Sequence, residues 1–252
     1  MSATALRAVR FGLVELKLLF RRPMTAMTTV LVPLALGIVT WISAPDTADP
    51  SWGAIIGDRI LMLLVLAGYL VSTTVVTARR QALVLKRLRT SELSDAGVIL
   101  GVLMPTAAVA LGQVAVLLAL FALAGAPAPE QPLLVAAGLL LAIGVTMLAG
   151  LATANLTRTV ELMQLTSGPL LIAAFAGMFL RMHPDPDLAL VGLAMPVVGP
   201  AELIAMGWAG ESLVTAPANL PPVGLLALAS TALWVVLMAA LIRKSFRWEP
   251  RS

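Results

Sequence analysis

Long apolar stretches alternate with short polar connections along the whole chain. Each stretch approaches or exceeds the roughly 20 residues that a helix needs to cross the hydrocarbon core of a bilayer. The pattern predicts six spanning helices, at Met24–Ser43, Ile60–Ala78, Gly97–Ala124, Pro132–Leu156, Leu165–Met182 and Val223–Ile242. The predicted fold class is therefore an all-α integral membrane protein, organised as a single transmembrane domain over residues 1–252.

Composition agrees with a membrane protein and excludes several other classes. Hydrophobic residues make up 60% of the chain and charged residues 12%, with a mean hydropathy of +0.97. A soluble domain has about 45–50% apolar and about 25% charged residues, so a cytosolic enzyme, a secreted domain and a disordered chain are all excluded. Cysteine is absent and His183 is the single histidine. We therefore expect no disulfide, no cysteine-based or His-rich metal site and no bound cofactor.

The basic residues are placed as membrane topology requires. Residues 1–22, 79–96, 157–164 and 243–252 hold 15 of the 17 lysines and arginines. Because cytoplasmic loops carry the excess of basic residues, both termini are predicted to be cytoplasmic. The sequence pI of about 10.3 reflects these clusters, and no aromatic-basic surface points to nucleic acid.

Two basic segments outside the spans have helical patterns of their own. Residues 3–22 predict an amphipathic helix lying in the cytoplasmic interface, either as a topology anchor or as a part of coupling. In residues 79–96, leucine and valine interleave with arginine and lysine, which predicts a short amphipathic helix. On composition alone, the favoured explanation of this second segment is a basic loop that only fixes topology.

The connection between the fifth and sixth spans, residues 183–222, is rich in proline and glycine. Between these breakers lie two apolar pieces that are too short to span, Leu188–Met195 and Ala201–Trp208. Irregular backbone at membrane depth is tolerated only where protein buries it or where it lines a cavity. We therefore expect two half-buried helices that cap the outer face of the bundle. The alternative is that they lie flat in the outer interface, with Trp208 as an anchor.

This architecture, with its local motifs, resembles the membrane subunit of bacterial type-two ATP-binding-cassette exporters (the ABC-2 family). Residues 85–93 (LKRLRTSEL) are similar to the family's LKRLRxTPL segment after the second span. Phe175–Phe179 resembles its aromatic end of span five, Met195-Pro196 and Pro200 stand where the family has proline before its last outer helix, and the tail 246–251 (FRWEPR) resembles endings of bacterial members.

The resemblance implies a permease subunit that works as a dimer with two separate ATPase subunits. The chain itself has no GxxxxGK[ST] phosphate-binding loop, so ATP and Mg would be bound by the partner and this chain would be non-catalytic. The loop residues that the resemblance implies for ATPase coupling are Arg79, Arg80, Leu85, Lys86, Arg87, Leu88, Arg89 and Glu92.

The resemblance also implies a substrate pathway at the dimer interface, lined by spans one, two and five. The lining candidates are Thr28, Thr29, Ser72, Thr73, Met163, Thr166 and Phe179, and the outer-gate candidates are Phe175, Phe179, Pro196 and Pro200. The low aromatic content, 5% with one tyrosine, favours a lipophilic drug-like molecule, a lipid or a peptide over a polysaccharide as cargo.

Two other functional classes remain open from the residues alone. One is a secondary transporter or channel that needs no ATPase, which the lack of ionisable residues at mid-span disfavours because an ion relay requires them. The other is a membrane anchor that recruits partners without transporting anything. The anchor alternative gives no reason for the proline-interrupted helices of residues 183–222, because an anchor needs only spanning helices.

Overall fold

A computed structural model describes residues 23–85 and 94–245, apart from positions 48, 50, 213 and 218. For residues 23–30 and 245 only the helical backbone is described. The described residues are helical with short connections and contain no strand. The predicted interfacial helix at residues 3–22 and the tail at residues 246–252 lie outside the described residues.

Nine α-helices and one π-helical segment make up the described chain. We number the α-helices in chain order: α1 Pro23–Ile42, α2 Ser51–Leu64, α3 Val71–Gln81, α4 Asp95–Leu123, α5 Pro132–Leu156, α6 Met163–Arg181, α7 Pro186–Ala194, α8 Gly199–Ala209 and α9 Val223–Ser245. The π-helical segment Val65–Leu70 joins α2 to α3, so that Ser51–Gln81 forms one long helix.

Five of these helical segments are long and apolar enough to cross a membrane, in the part of the chain that the structure describes. They are Ser51–Gln81, Asp95–Leu123, Pro132–Leu156, Met163–Arg181 and Val223–Lys244. The first predicted span, Met24–Ser43, coincides with α1, of which the apolar part Leu31–Ile42 has described side chains. The prediction of an all-helical, multi-pass membrane protein is therefore confirmed.

Successive spanning helices run in opposite directions, which gives the bundle two distinct ends. We call the end where α1 begins and α9 finishes the terminal end, and the opposite one the distal end. The α3–α4 and α5–α6 connections lie at the terminal end. The α1–α2 and α4–α5 connections and the start of α9 lie at the distal end, as do the first residue of α7 and the last residue of α8.

The helix formed by α2, the π-segment and α3 is the centre of the bundle. Most of its residues are buried, whereas most residues of α6 and α9 are half-buried or exposed. The apolar run predicted a span that begins only at Ile60, but the helix begins at Ser51. The sequence did not indicate this extension, because Asp58 and Arg59 interrupt the apolar run and two adjacent charged residues are typical of the end of a span.

Local sequence explains where several helices start and stop. The Asp49 carboxylate accepts a hydrogen bond from the Ser51 backbone N–H at 2.7 Å, and this bond lowers the pKa of Asp49. The Ser94 hydroxyl accepts from the Gly97 N–H at 3.2 Å at the start of α4. Such side-chain caps satisfy N–H groups that the first helical turn leaves without a partner. The α5 helix begins with Pro132, which has no N–H to satisfy.

Candidate functional site

The most unusual feature of the fold is the pair α7 and α8, which enters the bundle and returns. The two helices are bent by 117° at the four-residue turn Met195–Val198. At the distal end, the backbone N–H of Glu130 donates to the Trp208 carbonyl at 3.3 Å. At the tip, the Trp234 indole N–H, about halfway along α9, donates to the Ala194 carbonyl at 2.9 Å. We call residues 186–209 the re-entrant hairpin.

The sequence sets the ends of both hairpin helices. The Asp185 carboxylate accepts from the Asp187 N–H at 2.9 Å and caps α7, whose first residue is a proline. Pro200 occupies the first turn of α8, where a missing N–H costs nothing. Gly210 ends α8 in the left-handed conformation, with φ of +80°, as a glycine readily does.

Helix α8 is buried more deeply than the half-buried arrangement expected from the sequence. Nine of its eleven residues are buried. Trp208 is 9% exposed and its indole N–H donates to the Pro127 carbonyl at 2.9 Å, so the alternative of an interfacial tryptophan anchor is wrong. Two short helices between breakers are present as predicted, and α7, with three of its nine residues buried, agrees with the half-buried expectation. The deeper insertion of α8 was not visible in the local pattern.

Glycines allow α8 to lie directly against the backbone of its neighbours. A Cβ at Gly57 of α2 would stand 2.5 Å from the Ala201 carbonyl oxygen, and one at Gly53 would stand 2.6 Å from the Ala205 carbonyl oxygen. On the α5 side, a Cβ at Gly138 would meet the Ile204 side chain at 2.8 Å. Small residues permit this close approach between helices in membranes.

The turn at the tip of the hairpin is strained. Val197 has φ of +64°, in the left-handed region that a β-branched side chain disfavours. Its side chain is 2% exposed and belongs to the same apolar cluster as Val65 and Tyr69. Strained backbone of this kind costs about 1–3 kcal/mol and persists only where the surroundings enforce it. The tip therefore lies in the centre of the bundle, beside the π-helical segment.

Charged groups meet where the hairpin passes α2 and α6. Arg181, the last residue of α6, donates from Nη2 to Asp58 Oδ1 of α2 at 2.5 Å, and from Nη1 to Glu202 Oε2 of α8. The Ser212 hydroxyl donates to the other Glu202 oxygen at 2.5 Å. Arg181 is 3% and Glu202 is 1% exposed. We call Asp58, Arg181 and Glu202 the distal ion cluster.

By their positions in the sequence, Asp58 and Arg181 fall at the ends of predicted spans, where a charge is expected to reach the interface or to pair locally. Their actual pairing is neither local nor at an interface: it joins distant parts of the chain in a buried cluster and includes Glu202, which was not expected from the sequence. A usable signal existed, because a charge between apolar residues must be paired or left with an uncompensated desolvation cost. The sequence does not say which residues pair, since 123 positions separate Asp58 from Arg181.

A second polar region lies in the terminal half of the bundle and is built from hydroxyls. The Tyr69 hydroxyl lies 3.2 Å from Thr153 Oγ1 of α5 and donates to the Ser167 carbonyl of α6 at 3.3 Å. Further along, Thr157 Oγ1 lies 2.7 Å from Thr166 Oγ1. We call these contacts between the second span, α5 and α6 the hydroxyl network.

Three of the predicted coupling residues are described. Arg79 is half-buried at the end of α3. Arg80 is buried and donates from Nη2 to the Thr157 carbonyl at the end of α5. Leu85 is 1% exposed and packs with the apolar cluster at the terminal end. The other five predicted residues, Lys86, Arg87, Leu88, Arg89 and Glu92, lie outside the described residues, so their role stays a prediction.

The predicted pathway residues have different surroundings within one chain. Ser72 and Thr73 are buried against α5, where the Thr73 hydroxyl donates to the Tyr69 carbonyl at 2.9 Å and to the Gly150 carbonyl at 3.3 Å. Met163 and Thr166 are half-buried, and the Met163 sulfur accepts from Thr74 Oγ1 at 2.7 Å. The side chains of Thr28 and Thr29 lie outside the described part.

The gate candidates divide between the hairpin and the outer surface. Pro196 and Pro200 are buried on either side of the strained turn, and Phe175 is half-buried next to the same apolar cluster. Phe179 is 79% exposed on the outside of α6, in line with Leu165 and Ile172, at 76% and 71%. This apolar face of α6 is exposed in the single chain.

Comparison with known proteins finds no relative of this chain. The chain matches no family model, no curated protein and no solved structure. Within the described residues, no three acidic, histidine or cysteine side chains lie together in a way that could hold a metal ion.

Proposed function

We propose that this chain is the permease subunit of an ATP-driven exporter of the ABC-2 type in a bacterial cytoplasmic membrane. The observation that carries the proposal is the re-entrant hairpin between the last two spanning helices. An irregular turn deep in a bundle is tolerated only where protein encloses it or where it borders a pathway. A chain that served only as an anchor would have no use for a strained turn at its centre.

In this proposal the chain has six spans, with α1 as the first, and both termini are cytoplasmic. The terminal end of the bundle then faces the cytoplasm and the distal end faces outward. This orientation rests on the basic residues, which concentrate in the segments at the terminal end. The re-entrant hairpin becomes the outer gate, with Pro196 and Pro200 beside its tip.

Two copies of the chain would face each other and work with two ATPase subunits. The exposed apolar face of α6, with Leu165, Ile172 and Phe179, supplies a surface that a second copy could cover. The basic segment around Arg79–Glu92 would dock on the ATPase. Arg80 supports this role, since it links the end of α3 to the end of α5 through the Thr157 carbonyl. Movement at the docking segment would thereby reach two spanning helices.

The cargo class in this proposal is a lipophilic drug-like molecule, a lipid or a peptide. The described chain offers apolar and hydroxyl groups in its interior, and its single tyrosine, Tyr69, is engaged with Thr153 and Ser167. Stacked aromatic rings, which sugar conduits use, are not supplied by these residues.

The test is co-purification of the full chain in detergent with a candidate ATPase. We expect a stoichiometric complex with the wild-type chain and its loss when Arg87→Glu and Arg89→Glu reverse two charges in the docking segment. The matched control reverses Arg243 and Lys244 at the end of α9, which carry the same charges at the same end of the bundle. That control should retain the ATPase. A chain that never binds any ATPase contradicts the proposal.

One observation favours a second candidate, a secondary transporter driven by an ion gradient. The distal ion cluster places two carboxylates, Asp58 and Glu202, on one guanidinium. Such intramembrane charges commonly mark ion pathways. Transport in proteoliposomes separates the two candidates, because an imposed proton gradient without ATP should drive uptake only for the secondary transporter.

A further inference from the structure

One strip of the contact between α8 and α2 is a smooth surface, because it is formed by small residues only. Gly53 and Gly57 face Ala201, Ala205 and Ala209 of the hairpin, so backbone meets backbone with only methyl groups between them. A surface of this kind permits close approach. Within this strip no large side chains interlock, and beside it Ile56, Ile204 and Trp208 belong to one apolar cluster whose contacts are non-directional. The apolar contact therefore does not by itself fix the register of α8 along α2.

The distal ion cluster supplies the directional contact that this smooth surface lacks. The Arg181 guanidinium is planar and presents its two terminal nitrogens at fixed angles, so that it suits two carboxylates on different elements. Nη2 faces Asp58 of α2 and Nη1 faces Glu202 of α8. Both pairs form at only one register of the hairpin. Fixing register is the best-attested use of a buried polar contact.

The strained turn shows that the hairpin is held in its position rather than relaxed there. Val197 keeps its left-handed conformation only while the tip is packed in the central apolar cluster, to which Val65 also belongs. Withdrawal of the tip would release this strain. The strain therefore opposes the inserted position, and the ion cluster favours it.

We propose that Arg181 is the positioning residue of the re-entrant hairpin: its pairs with Asp58 and Glu202 set the register of α8, and loss of either pair frees the tip at Val197 to leave the centre of the bundle. The proposal deepens the gate assigned above, and its part in export rests on that proposed function. The positioning itself is a property of the chain alone.

The absence of cysteine from the chain makes a direct test available. In the full chain reconstituted in liposomes, Val197→Cys places one thiol at the tip, and its rate of reaction with a small water-soluble methanethiosulfonate reports access of water. We expect slow reaction with the cluster intact and at least a tenfold faster reaction when Glu202→Gln or Asp58→Asn is added. Arg181→Lys keeps the positive charge but lacks the planar guanidinium with its two terminal nitrogens, and it should give an intermediate rate.

Two controls separate positioning from general loss of structure. Glu211→Gln removes an exposed carboxylate just beyond the hairpin and should leave the rate at Val197→Cys unchanged. A separate reporter, Val102→Cys, lies in the apolar cluster of the terminal end and should stay slow in every variant. Equal rates at Val197→Cys across all variants would overturn the proposal. So would a parallel rise at Val102→Cys in all of them, Arg181→Lys included.

The outcome is independent of the ATPase experiment. A chain that binds no ATPase but shows the expected rates keeps Arg181 as the positioning residue and loses the exporter assignment. A chain that binds its ATPase but shows equal rates keeps the exporter and loses the role of Arg181.

Discussion

The distal and terminal halves of this bundle hold their helices together in different ways. In the distal half, one buried guanidinium joins three elements through two carboxylates, and glycines bring α8 onto the backbone of α2. In the terminal half, hydroxyl groups of Tyr69, Thr153 and Thr166 make several weaker contacts between the second span, α5 and α6. A few strong contacts hold α8 in one defined position. Many weak contacts, by contrast, let the helices of the terminal half exchange one hydrogen-bond partner for another.

This difference matches the work that each half would do in an exporter. A gate needs a closed position that is specific and that opens as a unit. The half next to an ATPase needs contacts that can shift in small steps as the docking segment moves. The π-helical segment Val65–Leu70 lies between the two halves in the central span, and such segments are frequent at functional sites in helices.

The largest effect should follow from removing the cation of the distal cluster. Arg181→Gln leaves Asp58 and Glu202 with no cation between them, and breaking a buried pair in this way costs about 3–5 kcal/mol. The melting temperature in detergent should therefore fall by more than about 6 °C, at roughly 2–4 °C per kcal/mol for a chain of this size. Arg243→Gln, at an exposed position of α9, should change it little. Equal melting temperatures would show that the cluster does not hold the distal half.

The strained turn provides a paired test with neighbouring valines. Val198 is buried but has φ of −80°, and Val198→Gly should lose about 2–4 kcal/mol through lost burial and backbone freedom. At Val197, with φ of +64°, the same substitution also releases strain of about 1–3 kcal/mol. Unfolding measurements should therefore show that Val197→Gly loses clearly less folding free energy than Val198→Gly. The reverse order would mean that the turn is not strained.

The smooth contact of α8 can be tested with two glycines. Gly57→Ala should cost about 1–3 kcal/mol of folding free energy, because its Cβ would lie 2.5 Å from the backbone oxygen of Ala201 and would push α8 away. At Gly144 of α5 a Cβ meets nothing within 4 Å, so Gly144→Ala should stabilise the chain by up to about 1 kcal/mol. Thermal unfolding of both variants against wild type checks the pair. Destabilisation by both would argue against a specific contact at Gly57.

The smallest effect is expected in the hydroxyl network. Tyr69→Phe removes the hydroxyl that contacts Thr153 and the Ser167 carbonyl, and it should cost about 0.5–1.5 kcal/mol. If the terminal half works through exchangeable contacts, the variant should keep its fold and change the rate of transport more than its stability. A loss of stability as large as that of Arg181→Gln would remove the distinction between the two halves.

Much of the fold could be predicted from the sequence, because apolar runs and breakers carry the information locally. The helix Pro132–Leu156 has the bounds that its apolar run predicts, and the two short helices α7 and α8 lie between the prolines and glycines that end them. The start of the central span was missed at Ser51, since Asp58 becomes acceptable inside a helix only once Arg181 is beside it.

The candidate site was harder to predict because its geometry depends on contacts between distant parts of the chain. Pro196 and Pro200 marked the turn, but nothing local revealed that α8 would be buried, that Val197 would adopt a left-handed conformation or that Glu202 would face Arg181. The docking role of residues 79–96 is implied by the family resemblance and not by their basic pattern alone, and it stays a prediction because it depends on a partner chain. Local patterns thus identified the elements, and long-range pairing decided their positions.

The most direct test of the account measures the tip of the hairpin while the ATPase works. In a reconstituted complex of the Val197→Cys chain with its ATPase, the rate of thiol modification is compared with and without ATP and Mg. We predict faster modification during ATP hydrolysis, and no such increase when Arg87→Glu and Arg89→Glu disrupt the docking segment. A rate that is the same with and without hydrolysis would contradict the claim that this chain couples ATP to the opening of the re-entrant hairpin.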